Sequence, residues 1–269
     1  MPGTFNGTTL TISATPVDGA LIPDKSATNV AGIAIVGSDM YCVKTTGLKT
    51  TLLKTTDYMA TKATAVKKDL NWFALGLTKI GNYLYMLAED HKGYGGSTTI
   101  VKLDTKGNQL GTYSINEICP KGALGITAAD GTNEKFIIMH YADKSNAGTL
   151  AFSVVDWKAA EAASTFTVTN SGFGYTTRLQ DIYYHTSFGL FILTNNTFST
   201  LQNRILVVDY HLTDDKGKKY TPCSVINVNK TGEYKQYNLE SICMKANHLV
   251  LASNVITVSY THLTLPTIA

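Results

Sequence analysis

The feature that most constrains this chain is a hairpin pattern written five times. Each copy is a short apolar strand, a small polar turn, and a second apolar or aromatic strand. The copies open at Gly32, Gly76, Gly125, Asp181 and Ser241. The first reads Gly32-Ile33-Ala34-Ile35-Val36, turns at Gly37-Ser38-Asp39, and returns as Met40-Tyr41-Cys42-Val43. The second runs Gly76 to Ile80, turns at Gly81-Asn82, and returns as Tyr83-Leu84-Tyr85-Met86-Leu87. Successive openings lie 44, 49, 56 and 60 residues apart. A period of roughly 40–50 residues built from strands is the spacing of a four-stranded propeller blade.

Further strands fall where a blade needs them. Third strands are expected at Thr98 to Asp104, Thr149 to Asp156 and Arg204 to Asp209. Each ends in Asp, whose carboxylate can accept backbone N–H bonds two residues on and form a turn. Outer strands are expected at Thr112 to Ile115 and Thr165 to Val168. One segment suggests a helix: Trp157 to Ala163, rich in Ala and following a capping Asp156. A blade with two apolar faces must stack on both sides, and ringing the blades gives each face a partner. The expectation is all-β: a propeller of about five four-stranded blades in one domain over residues 1–257, its last blade truncated. A sandwich or a β-solenoid is the alternative arrangement of such repeats. Thr8 to Ser13 is the candidate strand for closing the ring.

The truncation is inferred from the last residues. Val258-Ser259-Tyr260-Thr261-His262-Leu263-Thr264-Leu265-Pro266-Thr267 matches, in order, the transposon-end adapter of sequencing libraries translated as GTC TCT TAT ACA CAT CTG ACG CTG CCG ACG. The alternative is a real β-prone strand ended by Pro266. On the adapter reading, natural sequence stops near Thr257 and residues 258–269 are a non-native tail. That tail is then either without structure or a counterfeit third strand on an exposed edge.

Composition excludes several function classes. Hydrophobic residues make up 44% and charged residues 16%, so the chain can build a core. Net charge is +3, the lysines are scattered, and Arg178 and Arg204 are the only arginines. A nucleic-acid binder would carry a dense basic stripe, so none is expected as partner. No apolar run reaches the roughly 18 residues of a membrane span. No secretory leader is visible at Met1 to Asn6. Cys42, Cys119, Cys223 and Cys243 contain no C-x-x-C pair, and the histidines show no H-x-H or H-E-x-x-H spacing. Neither a metal nor another cofactor is expected from such spacing. Cys42 and Cys243 read as buried thiols, while a Cys119–Cys223 disulfide stays open. Gly93-Tyr94-Gly95-Gly96 lacks the Lys and helix of a phosphate loop.

Five residues are candidates for a ligand site. Asp181 and Glu240 each open an inner strand, where side chains approach the central channel; such a pair could bind a cation or act on a sugar. Hydrogen bonding within the strand start is the structural alternative for both. Trp72, Tyr94 and Tyr141 stand in or near loops and could stack on a ligand, with a wedge between blades the alternative for Trp72.

Leu75-Gly76-Leu77-Thr78 with Tyr83-Leu84-Tyr85-Met86, then Ile100-Val101-Lys102-Leu103 and Leu239-Glu240-Ser241-Ile242, make the layout from Gly32 to Asn254 resemble the propeller-like proteins related to the bacteriocin helveticin J of Gram-positive bacteria. Where some relatives open a blade with His-Ala-Asn-Asp, this chain has Phe73-Ala74-Leu75-Gly76, so no role of those polar residues is carried over. The resemblance implies an extracellular or cell-surface binding protein, monomeric, bacteriocin-like or directed at cell-wall glycan or another protein. The alternatives are a propeller enzyme, a lyase or glycoside hydrolase acting on polysaccharide, and a structural protein-interaction domain. A cytoplasmic location is the alternative to the cell surface.

Overall fold

The computed structural model describes residues 9–16, 29–56, 63–90, 97–141, 149–169, 178–195, 203–212, 216–230, 239–245, 248–253 and 258–261. Every regular element among them is a strand. The first blade is β2 (Asn29–Val36), β3 (Asp39–Thr46), β4 (Lys49–Thr55) and β5 (Thr64–Leu70). The second is β6 (Phe73–Ile80), β7 (Tyr83–Glu89), β8 (Thr98–Leu103) and β9 (Gln109–Ser114). The third is β10 (Ala123–Ala128), β11 (Lys135–Tyr141), β12 (Thr149–Asp156) and β13 (Ser164–Thr169), with β17 (Lys218–Tyr220) added parallel to β13.

The remaining strands form one eight-stranded sheet. One half is β14 (Arg178–His185), β15 (Gly189–Asn195), β16 (Asn203–Val208) and β18 (Ser224–Lys230). The other is β19 (Leu239–Lys245), β20 (His248–Ser253) and β21 (Val258–Thr261). Between them lies β1 (Thr9–Pro16), parallel to β18 and antiparallel to β21. The hydrogen-bonded sheets therefore number four, while the inner strands number five. β1 joins the fourth and fifth blades edge to edge, and the residues of the adapter-like string stand third in the last blade.

The inner strands close a ring: β2 packs on β6, β6 on β10, β10 on β14, β14 on β19, and β19 on β2. Each of these five contacts has its own apolar core. Alternation along a strand sends neighbours to opposite faces, so one strand feeds two cores. Leu84, Met86 and Ala88 of β7 enter the core shared with the first blade, while Tyr85 and Leu87 enter the core shared with the third. In β15, Leu190 and Ile192 face the third blade, Phe191 and Leu193 the fifth. This is why the second strands read as unbroken apolar runs rather than alternating ones: both faces are covered.

Two expectations are corrected. Trp157 to Ala163 is not a helix but a turn, with Lys158 at a φ of 63°. Trp157 is held instead edge-on to Tyr85, Tyr113 and Phe136 at the junction of the second and third blades, which outweighs the helix propensity of the alanines. Cys119 and Cys223 are both free thiols, Cys119 buried and Cys223 half-buried.

Candidate functional site: the central channel

The five residues that open the repeats share one structural device. In every inner strand the pairing skips one residue just before the opening residue: between Val30 and Gly32, Ala74 and Gly76, Ala123 and Gly125, Leu179 and Asp181, and Leu239 and Ser241. Such bulges bend a strand and increase its twist. The residues after the bulge then run along the channel at matched levels.

At the opening level the ring is packed shut. A Cβ on Gly32 would lie 2.2 Å from the Leu77 nitrogen and 2.6 Å from the Gly76 carbonyl carbon. Only glycine lets the first blade approach the second this closely. Gly125 meets Asp181 in the same manner, its Cβ position 3.2 Å from the Asp181 Cα. In the fourth and fifth blades Asp181 and Ser241 replace glycine and bind the next blade through side chains. Asp181 Oδ2 accepts from the Ser241 hydroxyl and from the Ile242 N–H at 3.2 Å, and Oδ1 accepts from the Ile182 N–H at 2.9 Å. Ser241 Oγ in turn accepts from the Ile33 N–H at 3.0 Å, which ties the fifth blade to the first.

Asp181 is 1% exposed. Burial pushes its carboxyl up to about 8, against the opposing effect of the bonds from Ser241, Ile182 and Ile242. The same burial raises the Cys243 thiol, and the Asp181 charge raises it further. Glu240, the bulged residue before Ser241, is half-buried. Trp72 lies away from the channel, between β5 and β6: its Nε1 donates to Gln109 Oε1 at 3.1 Å, and its ring packs on the core between the first two blades. Tyr141 pairs with Leu150 through its backbone, and its side chain lies outside the described residues, as does Tyr94.

Beyond the opening level the channel widens into a cavity of about 330 Å³ lined by all five inner strands. Its walls are mostly apolar, including Ile33, Leu77, Ile126, Ile182 and Ile242. Lys79, Asp130, Tyr183, His185 and Thr186 add polar groups. Asp181, Glu240 and Trp72 are not among the lining residues. The cavity residues were not singled out by sequence reasoning, although the repeats held a signal. Gly76-Leu77-Thr78 and Gly125-Ile126-Thr127 place a Thr two residues past the opening glycine. Thr78 Oγ1 accepts the Ala128 N–H, and Thr127 Oγ1 the Tyr184 N–H, each at 3.0 Å from the following blade.

The ionisable groups at the wall are differently committed. Asp130 Oδ1 accepts from the Thr132 N–H, the Thr132 hydroxyl and the Asn133 N–H, and Oδ2 accepts from the Asn133 amide at 2.6 Å. These bonds hold its carboxyl well below the usual carboxylate range. His185 Nδ1 accepts the Ser187 N–H at 3.1 Å, its ring lies 4.6 Å from Phe188, and burial lowers its pKa. A neutral His185 therefore carries its proton on Nε2, as a donor. Among the described residues no group of three or more His, Cys, Asp and Glu is placed to hold a metal ion, and no helix is long and apolar enough to cross a membrane.

No protein-family model matches the chain, and no curated protein matches its sequence. Solved structures do share its shape. A glutaminyl cyclase of Myxococcus xanthus superposes with a TM-score of 0.56 at 14% identity, over 95% of this chain and 98% of that one. A glycosyl hydrolase of Bacteroides ovatus gives 0.49 at 9% identity, over 91% of each chain. Virginiamycin B lyase of Staphylococcus aureus gives 0.48 at 9% identity, over 91% of this chain and 97% of that one. At these identities the first likeness establishes the propeller fold and nothing about chemistry.

Proposed function

We propose that this protein is a propeller-type binding protein, acting outside the cell or at its surface, that takes a small unit of a glycan in its central channel. The observation that carries the reading is the cavity itself. Its volume of about 330 Å³ is at the small end of the roughly 300–1,000 Å³ of ligand pockets, a fit for a unit of one or two sugar rings. Its walls are apolar with a few polar groups, the composition of a site that orients a ligand. Among the lining residues, His185 and Thr186 offer hydrogen bonds to a sugar.

Binding is favoured over hydrolysis by the state of the carboxyl groups. Glycoside hydrolysis needs two carboxyl groups flanking the scissile bond, one of them free to give a proton. Asp130 is the one carboxylate among the described lining residues, and both its oxygens are occupied by its own turn. Asp181 has the raised pKa of a general acid but spends both oxygens on the seam between blades.

A glycan array and a pull-down on purified cell wall, both with the complete chain, test the reading. Retention on a wall or glycan component, without its cleavage, is expected. Retention on none of them, or release of cut product, would overturn it.

A further inference from the structure

We infer that His185 is a pH switch built into the channel wall: neutral, it holds in place the turn that carries Thr186, and protonated, it releases that turn, so the site binds at neutral pH and lets go in acid. This names the regulation of the proposed glycan site and rests on that reading. The turn is a short span between two fixed points. On one side Tyr184 is tied to the third blade, its N–H donating to Thr127 Oγ1 at 3.0 Å. On the other, Gly189 approaches β16 so closely that a Cβ there would lie 2.2 Å from the Val208 carbonyl oxygen. His185 and Gly189 pair across the turn, and the Phe188 N–H donates to the His185 carbonyl at 3.2 Å. Thr186 and Ser187 lie between these anchors, and both are exposed. A side-chain bond spans them: the Ser187 N–H donates to His185 Nδ1 at 3.1 Å.

That bond depends on the charge of the ring. A backbone N–H can only donate, so Nδ1 must offer a lone pair, as it does in the neutral imidazole with its proton on Nε2. The imidazolium carries a proton on both nitrogens. Protonation therefore sets an Nδ1 proton against the Ser187 N–H, two donors 3.1 Å apart. The bond is lost, and either the ring or Ser187 must turn away. His185 and Thr186 both line the cavity, so either movement changes the wall that meets a ligand.

Histidine is the side chain whose ordinary pKa lies close to neutrality, which suits it to such a switch. Burial lowers the value for His185. The neutral form that holds the turn therefore prevails at pH 7 and above, and release follows with a midpoint below the ordinary value of about 6.5. The charged and titratable groups around β14 are committed elsewhere or stand at the wall. Asp130, just past β10, is held by its own turn. On β11, Lys135 pairs with Asp156 at 3.6 Å and His140 bonds Ser153 Oγ at 2.9 Å. β19 brings Glu240, Cys243 and Lys245, the last donating to the Gly37 carbonyl. β15 carries no ionisable side chain, and past β16 His211 pairs with Asp209 at 2.9 Å. Lys79 stands on the cavity wall. Burial, rather than any of these charges, sets the direction for His185.

The test is nitrogen-15 NMR of the complete chain, titrated from about pH 8 to about pH 4. At the upper end the His185 ring should be the Nε2–H tautomer, and the Ser187 amide should show the downfield shift and slow exchange of a bonded N–H. Both features should be lost together, with one midpoint below about 6.5. His185→Asn sets an uncharged acceptor, Oδ1, close to the place of Nδ1, so the Ser187 amide should not titrate in that variant. A Ser187 amide unchanged while His185 titrates would overturn the inference, and this parent titration decides alone should the variant misfold. An equal Ser187 titration in His185→Asn would overturn it too. The second readout is retention on purified cell wall at about pH 7.5 and about pH 4. Parent retention should weaken about tenfold in acid, the equivalent of one hydrogen bond, while that of His185→Asn, whatever its level, should not fall. Equal parent retention at both pH values would overturn the switch and leave the glycan reading intact. Retention at neither would overturn both.

Discussion

Replacing Gly32 by alanine tests the packing that positions the channel. The new Cβ would stand 2.2 Å from the Leu77 nitrogen, 2.6 Å from the Gly76 carbonyl carbon and 2.7 Å from the Leu77 Cβ. Comfortable contact between carbon atoms is about 3.5–4.0 Å, so β2 and β6 must part by about 1 Å or more. The obstructing atoms are mostly backbone and cannot swing away. β2 is held by β3 and β6 by β7, with Ala34, Tyr41, Leu77 and Met86 of their shared core between them. Overpacking costs about 1–3 kcal/mol when side chains can adjust; here the upper end or beyond is expected. For a chain of this size, about 3 kcal/mol lowers Tm by roughly 6–12 °C. Two controls separate this from generic glycine effects. A Cβ at Gly131 meets nothing within 4 Å, so Gly131→Ala should stay within about 0.5 kcal/mol of the parent. Gly37 also has open space, but its φ of 63° should cost about 1–2 kcal/mol on substitution. Far-ultraviolet circular dichroism during heating, paired with urea titration, measures all three. A Gly32→Ala protein melting within about 1 °C of the parent would mean that the first two blades do not meet at this register.

The seam at Asp181 should give an inverted pH response. Its folded pKa of about 8 lies above the unfolded value near 3.9, so its contribution is complete below about pH 4 and is lost as pH rises toward and through 8. This group alone should lower stability by about 1.4 kcal/mol per pH unit within that window. Asp181→Asn, which stays uncharged, should flatten the profile; a parent protein whose urea midpoint does not fall between pH 6 and pH 9 relative to this variant refutes the raised pKa. Ser241→Ala strands the Ile33 N–H, and Thr127→Val the Tyr184 N–H, each at a cost of about 1–3 kcal/mol in the same titration; a loss below the error of the fit refutes either bond. Amplifying the gene from unfragmented DNA should replace Val258 to Thr267 by other residues, and an intact frame retaining them refutes the adapter reading.

The fold was largely legible because the repeat itself encodes the bulge. The openings read from the sequence, Gly32 through Ser241, are the residues at which pairing resumes after each bulge. The strands rich in apolar residues were legible too: β8, β12 and β16 lie within one residue of the expected runs. Asp104 forms the expected turn, accepting the Lys106 and Asn108 N–H groups at 2.8 Å. Of the outer strands, β9 and β13 overlap the runs expected at Thr112 to Ile115 and Thr165 to Val168, while β5 and β17 were not legible. β5, Thr-Ala-Val-Lys-Lys-Asp-Leu, is exposed over most of its length and carries no apolar pattern, since partner hydrogen bonds rather than a core define it. The short β17 is placed by its parallel pairing with β13, a long-range contact with no local signature.

The site was less legible than the fold. The sequence marked Asp181 as notable, and the structure puts it on the seam between blades, 1% exposed. Glu240 is the bulged residue of β19, whose local geometry no composition rule anticipates. What could have been read is the contrast at one repeat position: Thr78 and Thr127 against Ala34, Tyr183 and Cys243.

Residue-resolved amide hydrogen exchange tests the central claim most directly, that five inner strands form one closed ring. The amides of Ile33, Ala128, Tyr184 and Ile242 are bonded across blades and should exchange only with the loss of the whole fold. A fast Ile33 or Ile242 amide would contradict closure of the ring.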